Sequence, residues 1–261
     1  MSIGGRTIMS FINDNFMLKN ETAKLLYNKY AKDMPIVDYH CHISPREIYE
    51  DKRFDSITEL WLGGDHYKWR LIRSNGVSEE EITGNADPKT KFIRFAEALS
   101  KSIGNPMYHW THLELKRYFG YDGILNADTA EEVYELCNKK LREPEMSARG
   151  IINASNVKMI GTTDDPIDSL EWHIKLAADK SFKTRVCPSF RPDKAVNIDK
   201  AGFADYIAAL SKAADMPIES ADDVKAALTK RLAFFCENGC LATNPGLDYM
   251  IYSPASEDVV N

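Results

Sequence analysis

The spacing of apolar and polar positions divides the chain into two parts near residue 150. Between about 45 and 150, apolar residues recur at helical spacing, with breaks at turns rich in glycine, asparagine and proline. This part is therefore predicted to be nearly all helical. After residue 150, short apolar runs alternate with longer helical segments. We predict strands at 157–161, 182–188 and 239–243, and helices near 167–179, 200–213 and 221–237.

The segment before residue 45 adds a helix and a strand. A helix is predicted to begin at Asn20 and to run to about Asp33, and the apolar run at 35–40 is predicted to be a strand. This run is apolar enough to be buried on both faces, as in a parallel sheet. A weaker strand is predicted near 249–252. Strands that alternate with helices at this spacing favour right-handed βαβ units.

The predicted elements indicate an α/β fold, an incomplete (β/α)8 TIM-type barrel. A whole barrel takes roughly 250 residues, whereas about a hundred residues of this chain form a helical insertion after the first strand. Only the N-terminal strands of a barrel are then expected. The expected organisation is a partly disordered extension at 1–18, followed by the barrel part at 19–261 with its insertion at about 45–150.

A histidine pair, His40 and His42, stands at the end of the first predicted strand. Residues i and i+2 of a strand point to the same face, so the two imidazoles can hold one divalent cation from one side. In α/β enzymes the carboxyl ends of the strands carry the chemistry. The alternative is a pair that only makes hydrogen bonds, and the motif alone leaves both open.

Composition argues against several classes of protein. The net charge is -6 and the pI is about 5.6, and no basic block indicates a nucleic-acid partner. No apolar run approaches the roughly 20 residues that span a bilayer, and no signal peptide is recognised, so no membrane partner is expected. The five cysteines are irregularly spaced, which favours reduced thiols in a cytoplasmic protein.

A second cluster, Gly63 to Arg70, contains His66 and Tyr67 as a candidate pair for proton transfer. A neighbouring histidine can lower the cost of ionising a tyrosine. The structural alternative is the start of an amphipathic helix with Trp69 in the core, and without other information it is the more common case.

Two further clusters follow predicted strands. Hydroxyls and carboxylates at 162–166 have two open roles: they can cap the next helix, or they can be site residues of the kind that barrel enzymes collect at strand ends. Arg191 follows the next strand and can bind a carboxylate through two parallel hydrogen bonds. Its alternative role is a surface pair with an aspartate. His109 and His112 lie three apart on a predicted helix, where packing is more common than metal binding.

Taken together, several segments resemble uronate isomerase (glucuronate isomerase) of the amidohydrolase superfamily. The resemblance covers most of the chain from Phe11 to about Tyr252. The segments that carry it are 16–42, 64–70, 103–115, 157–170 and 188–194.

The resemblance implies a distorted (β/α)8 barrel that interconverts hexuronate aldoses and ketoses, such as D-glucuronate with D-fructuronate and D-galacturonate with D-tagaturonate. The proton would move between C2 and C1 through a cis-enediol. One divalent metal, usually zinc, would be held by His40, His42 and a later aspartate. His66 and Tyr67 would line the substrate site, with Tyr67 as proton carrier, and Arg191 would bind the uronate. A homo-oligomer is compatible with the resemblance.

The chain departs from the family pattern in two ways. The family carries Asp-His after the fifth strand, where this chain has Thr243-Asn244-Pro245-Gly246. The later strands and the metal-binding aspartate of the family are not found in this sequence, so we expect a fragment that is incomplete as a catalyst. Two alternatives stay open: a related metal-dependent hydrolase, and a non-catalytic remnant that binds sugar acids.

Overall fold

The computed structural model describes residues 10–246, 252–254 and 256. The chain forms two compact units. The first, here called the helical unit, comprises Met1–Met34 and Lys52–Ile151. The second, the strand-bearing unit, comprises Pro35–Asp51 and Ile152–Asn261.

Helices make up most of the regular structure. In chain order they are α1 Glu21–Leu26, α2 Pro45–Tyr49, α3 Ile57–Leu62, α4 His66–Ser74, α5 Pro88–Ser100, α6 Pro106–Phe119, α7 Ala130–Lys140, α8 Ala148–Ala154, α9 Glu171–Ala178, α10 Asp193–Val196, α11 Phe203–Ala214 and α12 Ala221–Glu237. A π-helical segment, Tyr27–Ala31, continues α1, and a 3-10 turn occupies Glu79–Glu81. Among the described residues, no helix combines the length and the apolar character needed to cross a membrane.

The core of the helical unit forms around α5. The Asp87 side chain accepts hydrogen bonds from the backbone N–H groups of Lys89 and Thr90, which fixes the start of the helix. The helix buries one face, made of Phe92, Phe95, Ala96 and Leu99. Trp61 of α3 packs against this face, its ring centroid 6.0 Å from that of Phe95. The predicted helical pattern of this region is therefore realised as an amphipathic bundle.

The strands of the strand-bearing unit are short and parallel. They are β1 Ile36–Asp38, β2 Val157–Gly161, β3 Arg185–Cys187, β4 Ser189–Phe190 and β5 Ala242–Thr243. β1, β2 and β3 form a sheet in that order, and β4 pairs with β5. The parallel strands with intervening helices confirm an α/β fold, and the described strands do not close into a barrel.

Most predicted elements appear near their expected positions. β2 and α12 match their predicted bounds, whereas the strand predicted at 182–188 is shorter and forms β3 alone, with β4 just beyond its predicted end. The strand predicted at 239–243 is shorter, because only Ala242 and Thr243 pair with β4. The weaker strand near 249–252 lies, except for Tyr252, outside the described residues. Residues 1–9 of the expected N-terminal extension also lie outside them.

The prediction that the first strand is buried on both faces is wrong. Ile36 is 46% exposed and Val37 is 54% exposed. Edge position alone is not the reason, because β3 is the other edge of the sheet and still buries Val186 and Cys187. What covers the two faces of a strand comes from other segments of the chain. The apolar run identified a strand correctly but did not reveal its place in the sheet.

Candidate active site

The backbone beyond β1 sets the direction of the histidine pair. The Cys41 N–H donates to the Gly161 carbonyl oxygen at 2.8 Å, which carries the contact between β1 and β2 past Asp38. Cys41 is buried in an apolar cluster with Ile160, whereas His40 and His42 on either side of it are exposed. The expected alternation along a strand therefore persists here. Burial raises the pKa of the Cys41 thiol to about 11, so it is neutral near pH 7.

The two imidazoles converge on each other through the same ring nitrogen. Their Nε2 atoms are 3.1 Å apart, and the rings are nearly perpendicular, with an interplanar angle of 81°. Two nitrogen ligands of a tetrahedral zinc ion, each roughly 2.0–2.1 Å from the metal, lie about 3.3 Å apart. The spacing and the donor type therefore fit one divalent cation. No set of three or more histidine, cysteine, aspartate or glutamate side chains suited to a metal occurs among the described residues, so the pair supplies two ligands.

Each histidine also has an outer neighbour at Nδ1. Asn244 Nδ2 lies 2.8 Å from His40 Nδ1, and Thr163 Oγ1 lies 3.4 Å from His42 Nδ1. Both neighbours follow a strand, Asn244 after β5 and Thr163 after β2. Sequence reasoning noted both positions but assigned neither a role toward the histidines. The signal that could have found them is the shared strand edge, where the carboxyl ends of parallel strands meet.

The polar residues at 162–166 do not cap the next helix, which was one of the two roles that the sequence left open for them. α9 begins at Glu171, and its N-terminal neighbour Leu170 makes no side-chain cap. Asp164 instead accepts hydrogen bonds from Thr162 Oγ1 at 2.6 Å and from the Ser189 backbone N–H at 3.0 Å. The Asp164 carboxylate thus links the end of β2 with the start of β4, because one of its donors follows β2 and the other begins β4.

His173 of α9 completes this buried group. Its Nε2 lies 2.8 Å from Thr162 Oγ1 and 3.6 Å from Asp164 Oδ1. Burial lowers the pKa of His173, and burial likewise raises the pKa of Asp164. Sequence reasoning missed His173, because a lone histidine within an apolar helix gives no pattern to recognise.

Arg191 lies directly after β4 and is partly buried. Its Nη2 donates to Asp193 Oδ2 at 2.9 Å, so the pair with an aspartate considered from the sequence is present. Its Nε is buried and has no hydrogen-bond partner among the described residues. The Asp193 carboxylate also accepts the Gly246 backbone N–H at 2.8 Å. The guanidinium is therefore oriented by Asp193 while one buried donor stays unused.

His66 and Tyr67 are the first two residues of α4, in the helical unit. Asp65 caps the helix by accepting from the Tyr67 and Lys68 backbone N–H groups. The ring centroids of His66 and Tyr67 are 4.3 Å apart, and Tyr67 is 61% exposed. Trp69 packs against the helical core and donates its Nε1–H to the Leu62 carbonyl oxygen at 2.6 Å. The segment therefore begins a helix with Trp69 packed against the core, and it also leaves the rings of His66 and Tyr67 exposed.

His112 has a structural role, as the more common alternative predicted. Its Nδ1 lies 2.6 Å from the Tyr108 carbonyl oxygen, and its Nε2 accepts the Leu125 backbone N–H at 3.0 Å. The side chain is 2% exposed, and burial lowers its pKa. His109 packs among aromatic rings, its centroid 5.4 Å from that of Phe16. Neither residue is placed as a metal ligand by these contacts.

Comparison with known proteins assigns the chain to a family. Residues 8–261 match the family model described as glucuronate isomerase. The chain is 53% identical over 250 residues to a uronate isomerase of Endomicrobium trichonymphae, and this match spans 96% of the chain and 53% of the relative. It is 54% identical over 250 residues to a uronate isomerase of Lachnoclostridium phytofermentans, with 96% and 54% covered. The chain therefore spans about half the length of the curated relatives it matches.

Solved structures agree with the sequence relationship. The uronate isomerase of Thermotoga maritima superposes with a TM-score of 0.85 at 37% identity, over 91% of this chain and 52% of that one. The glucuronate isomerase of Caulobacter crescentus is similar in fold, with a TM-score of 0.79 at 22% identity over 86% of this chain and 48% of that one. From the family match over nearly the whole sequence, we conclude that this chain belongs to the glucuronate isomerase family.

Proposed function

We propose that this chain is part of a uronate isomerase that interconverts hexuronate aldoses and ketoses in hexuronate catabolism. The proposed pairs are D-glucuronate with D-fructuronate, and D-galacturonate with D-tagaturonate. The observation that carries the proposal is the identity of 53% to a curated uronate isomerase over 96% of the chain. We further propose that the parallel strands belong to a distorted (β/α)8 barrel.

The proposed reaction moves hydrogen between two neighbouring carbons. A base removes the proton from C2 of the aldose and returns it to C1, and the hydroxyl proton of O2 passes to O1, so a cis-enediol becomes the ketose. Tyr67 is proposed as the proton carrier and His66 as its partner that also binds substrate. Support comes from their exposed, adjacent rings at the start of α4.

The substrate carboxylate is assigned to Arg191. The guanidinium is planar and can donate two parallel hydrogen bonds to a carboxylate. The buried Nε of Arg191 has no partner among the described residues, and Asp193 orients the guanidinium through Nη2. An arginine held in this way loses little side-chain entropy when it binds an anion.

His40 and His42 are proposed as two ligands of one divalent cation, with zinc as the first choice. Their converging Nε2 atoms support this assignment. A divalent cation bound there supplies positive charge that polarises a substrate oxygen. Thr163 and Asn244 contact the imidazoles at their Nδ1 atoms and so orient the rings.

Isomerase activity is tested by incubating the purified protein with D-glucuronate and zinc and following ketose formation. The 261-residue chain is compared with a longer product extended to the length of its curated relatives. Ketose formation by the longer product, with little or none by the 261-residue chain, supports the proposal in full. No ketose from either product would overturn it. The free, largely buried thiols agree with a proposed location in the reducing cytoplasm.

A further inference from the structure

One hydrogen bond of the histidine pair, the contact with the Asn244 amide nitrogen, has its direction set by the chemistry of its donor. The amide nitrogen of Asn244 can only donate, so His40 Nδ1, 2.8 Å away, is the acceptor. A neutral imidazole that accepts at Nδ1 carries its proton at Nε2. His40 Nε2–H therefore faces the lone pair of His42 Nε2 at 3.1 Å.

The spacing of the two rings fits a cation, but this placement of their protons does not. A metal binds the lone pair of a ring nitrogen, and His40 Nε2 carries hydrogen in this state. For His40 to bind through Nε2, its proton must sit on Nδ1. Histidines that bind metals almost always donate that second N–H to an oxygen, which fixes the tautomer.

An unused oxygen is already present beside His40. The side-chain oxygen of Asn244, Oδ1, is buried and has no hydrogen-bond partner among the described residues. Rotation about the Asn244 Cβ–Cγ bond exchanges Oδ1 with Nδ2, two groups of nearly equal size. The oxygen would then face His40 Nδ1 without displacement of the backbone.

We propose that Asn244 is a positioning residue for the metal centre and that its amide works in two orientations. Without a cation, Nδ2 donates to His40 Nδ1; with a cation, Oδ1 accepts from His40 Nδ1–H. Between the two states, His40 gives its Nε2 proton to solvent and takes one from solvent at Nδ1, so the ring stays neutral. This inference rests on the proposed metal centre.

Asparagine is one of the few residues able to serve both states. Aspartate accepts only, so it favours the Nδ1–H tautomer whether or not a cation is bound. Leucine has a similar volume but neither donates nor accepts. Thr163 can serve His42 in the same way, because a hydroxyl both donates and accepts.

The first test reads the tautomer of His40 directly. Long-range ¹H–¹⁵N NMR on the cation-free protein should show the proton on Nε2 in the wild type and on Nδ1 in Asn244→Asp. Asn153→Leu, a change at an exposed position of α8, should leave the wild-type pattern intact. The same His40 tautomer in the wild type and in Asn244→Asp would overturn the inference.

The second test measures zinc affinity by competition with a chelator, after circular dichroism has shown that each variant is folded. Asn244→Leu should bind zinc about 10-fold to 100-fold more weakly than the wild type. Asn153→Leu should bind it equally well. Zinc binding by the wild type that is unchanged in Asn244→Leu would overturn the inference and leave the metal centre standing, whereas no zinc binding by the wild type would overturn both.

Discussion

The helical unit and the strand-bearing unit use their buried residues differently. In the helical unit, the apolar side chains of α3, α5, α6 and α7 belong to one continuous core. In the strand-bearing unit, the buried residues fall into separate small clusters: one beneath Cys41, one around Leu210 and one around Phe235. The first unit is organised by packing, whereas the second leaves polar groups at the ends of its strands.

The histidines of the two units show what this difference means for chemistry. His112 sits within the helical core, and both of its ring nitrogens are used by backbone groups. His40 and His42 follow an edge strand, and their Nε2 atoms face each other instead of a backbone partner. A histidine fixed by packing has no nitrogen left for a ligand, whereas a histidine at a strand end retains one.

The largest expected effect breaks the continuous core. Phe95→Ala should lower the free energy of unfolding by about 3–5 kcal/mol, because it empties the position against which Trp61 packs. Chemical denaturation followed by tryptophan fluorescence measures the change. Trp110→Ala is the control, since Trp110 is 59% exposed on α6 and should cost little. A similar cost for both would mean that the helical unit does not depend on its core.

The next effect concerns the strand-bearing unit. Arg191→Met should weaken hexuronate binding by about 1.5–3 kcal/mol, because a charge-assisted hydrogen bond to the carboxylate is lost. Zinc affinity should stay the same. Arg185→Met is the matched control, since Arg185 begins β3 and Arg191 follows β4. Equal losses of substrate and zinc in Arg191→Met would indicate a purely structural arginine.

A smaller effect tests the buried histidine of the helical unit through pH. Because burial lowers the pKa of His112 below its ordinary 6.5, the unfolded chain binds more protons just below that pH, and stability falls as the pH drops. His112→Gln should cost about 1.5 kcal/mol near pH 7.5, for one lost hydrogen bond. It should also remove part of the loss seen at about pH 5.5.

Denaturation of both proteins at the two pH values decides this prediction. His66→Gln serves as the control, because it removes an exposed imidazole and leaves the buried one in place. If His112→Gln lost as much stability on acidification as the wild type, the buried imidazole would not be the group responsible.

The smallest expected effect sharpens the account of the histidine pair. Thr163→Val should weaken zinc binding by about 1 kcal/mol or less, because its hydroxyl lies 3.4 Å from His42 Nδ1, at the long end for a hydrogen bond. Competition with a chelator measures it. A loss as large as that expected for Asn244→Leu would make Thr163 an equal partner in positioning.

The sequence predicted the α/β fold and most elements because periodicity reports local structure. β2 and α12 were predicted within their observed bounds, since each is bounded by clear turn residues. The exposure of β1 was not predicted, because the residues that cover the faces of a strand lie far away in the sequence. The hydrophobic pattern of a single segment does not contain that information.

Only part of the candidate site was predicted, because the sequence reports local spacing and not contacts between distant segments. His40 and His42 were recognised because their spacing alone brings them to one face. The contacts of Asn244 and Asp164 were not predicted, because their partners lie in other segments, His40 for one and Ser189 for the other. The roles of such residues can be identified only from the structure, in which the order of the strands brings distant segments together.

Gly161 gives the histidine pair its geometry by having no side chain. A Cβ atom at this position would lie 2.7 Å from the Tyr39 carbonyl oxygen, just before His40. A methyl group there would push β1 away from β2 and break the hydrogen bond from the Cys41 N–H to the Gly161 carbonyl oxygen. The convergence of two imidazoles on one point thus depends on the smallest residue of the neighbouring strand, which carries no functional group of its own.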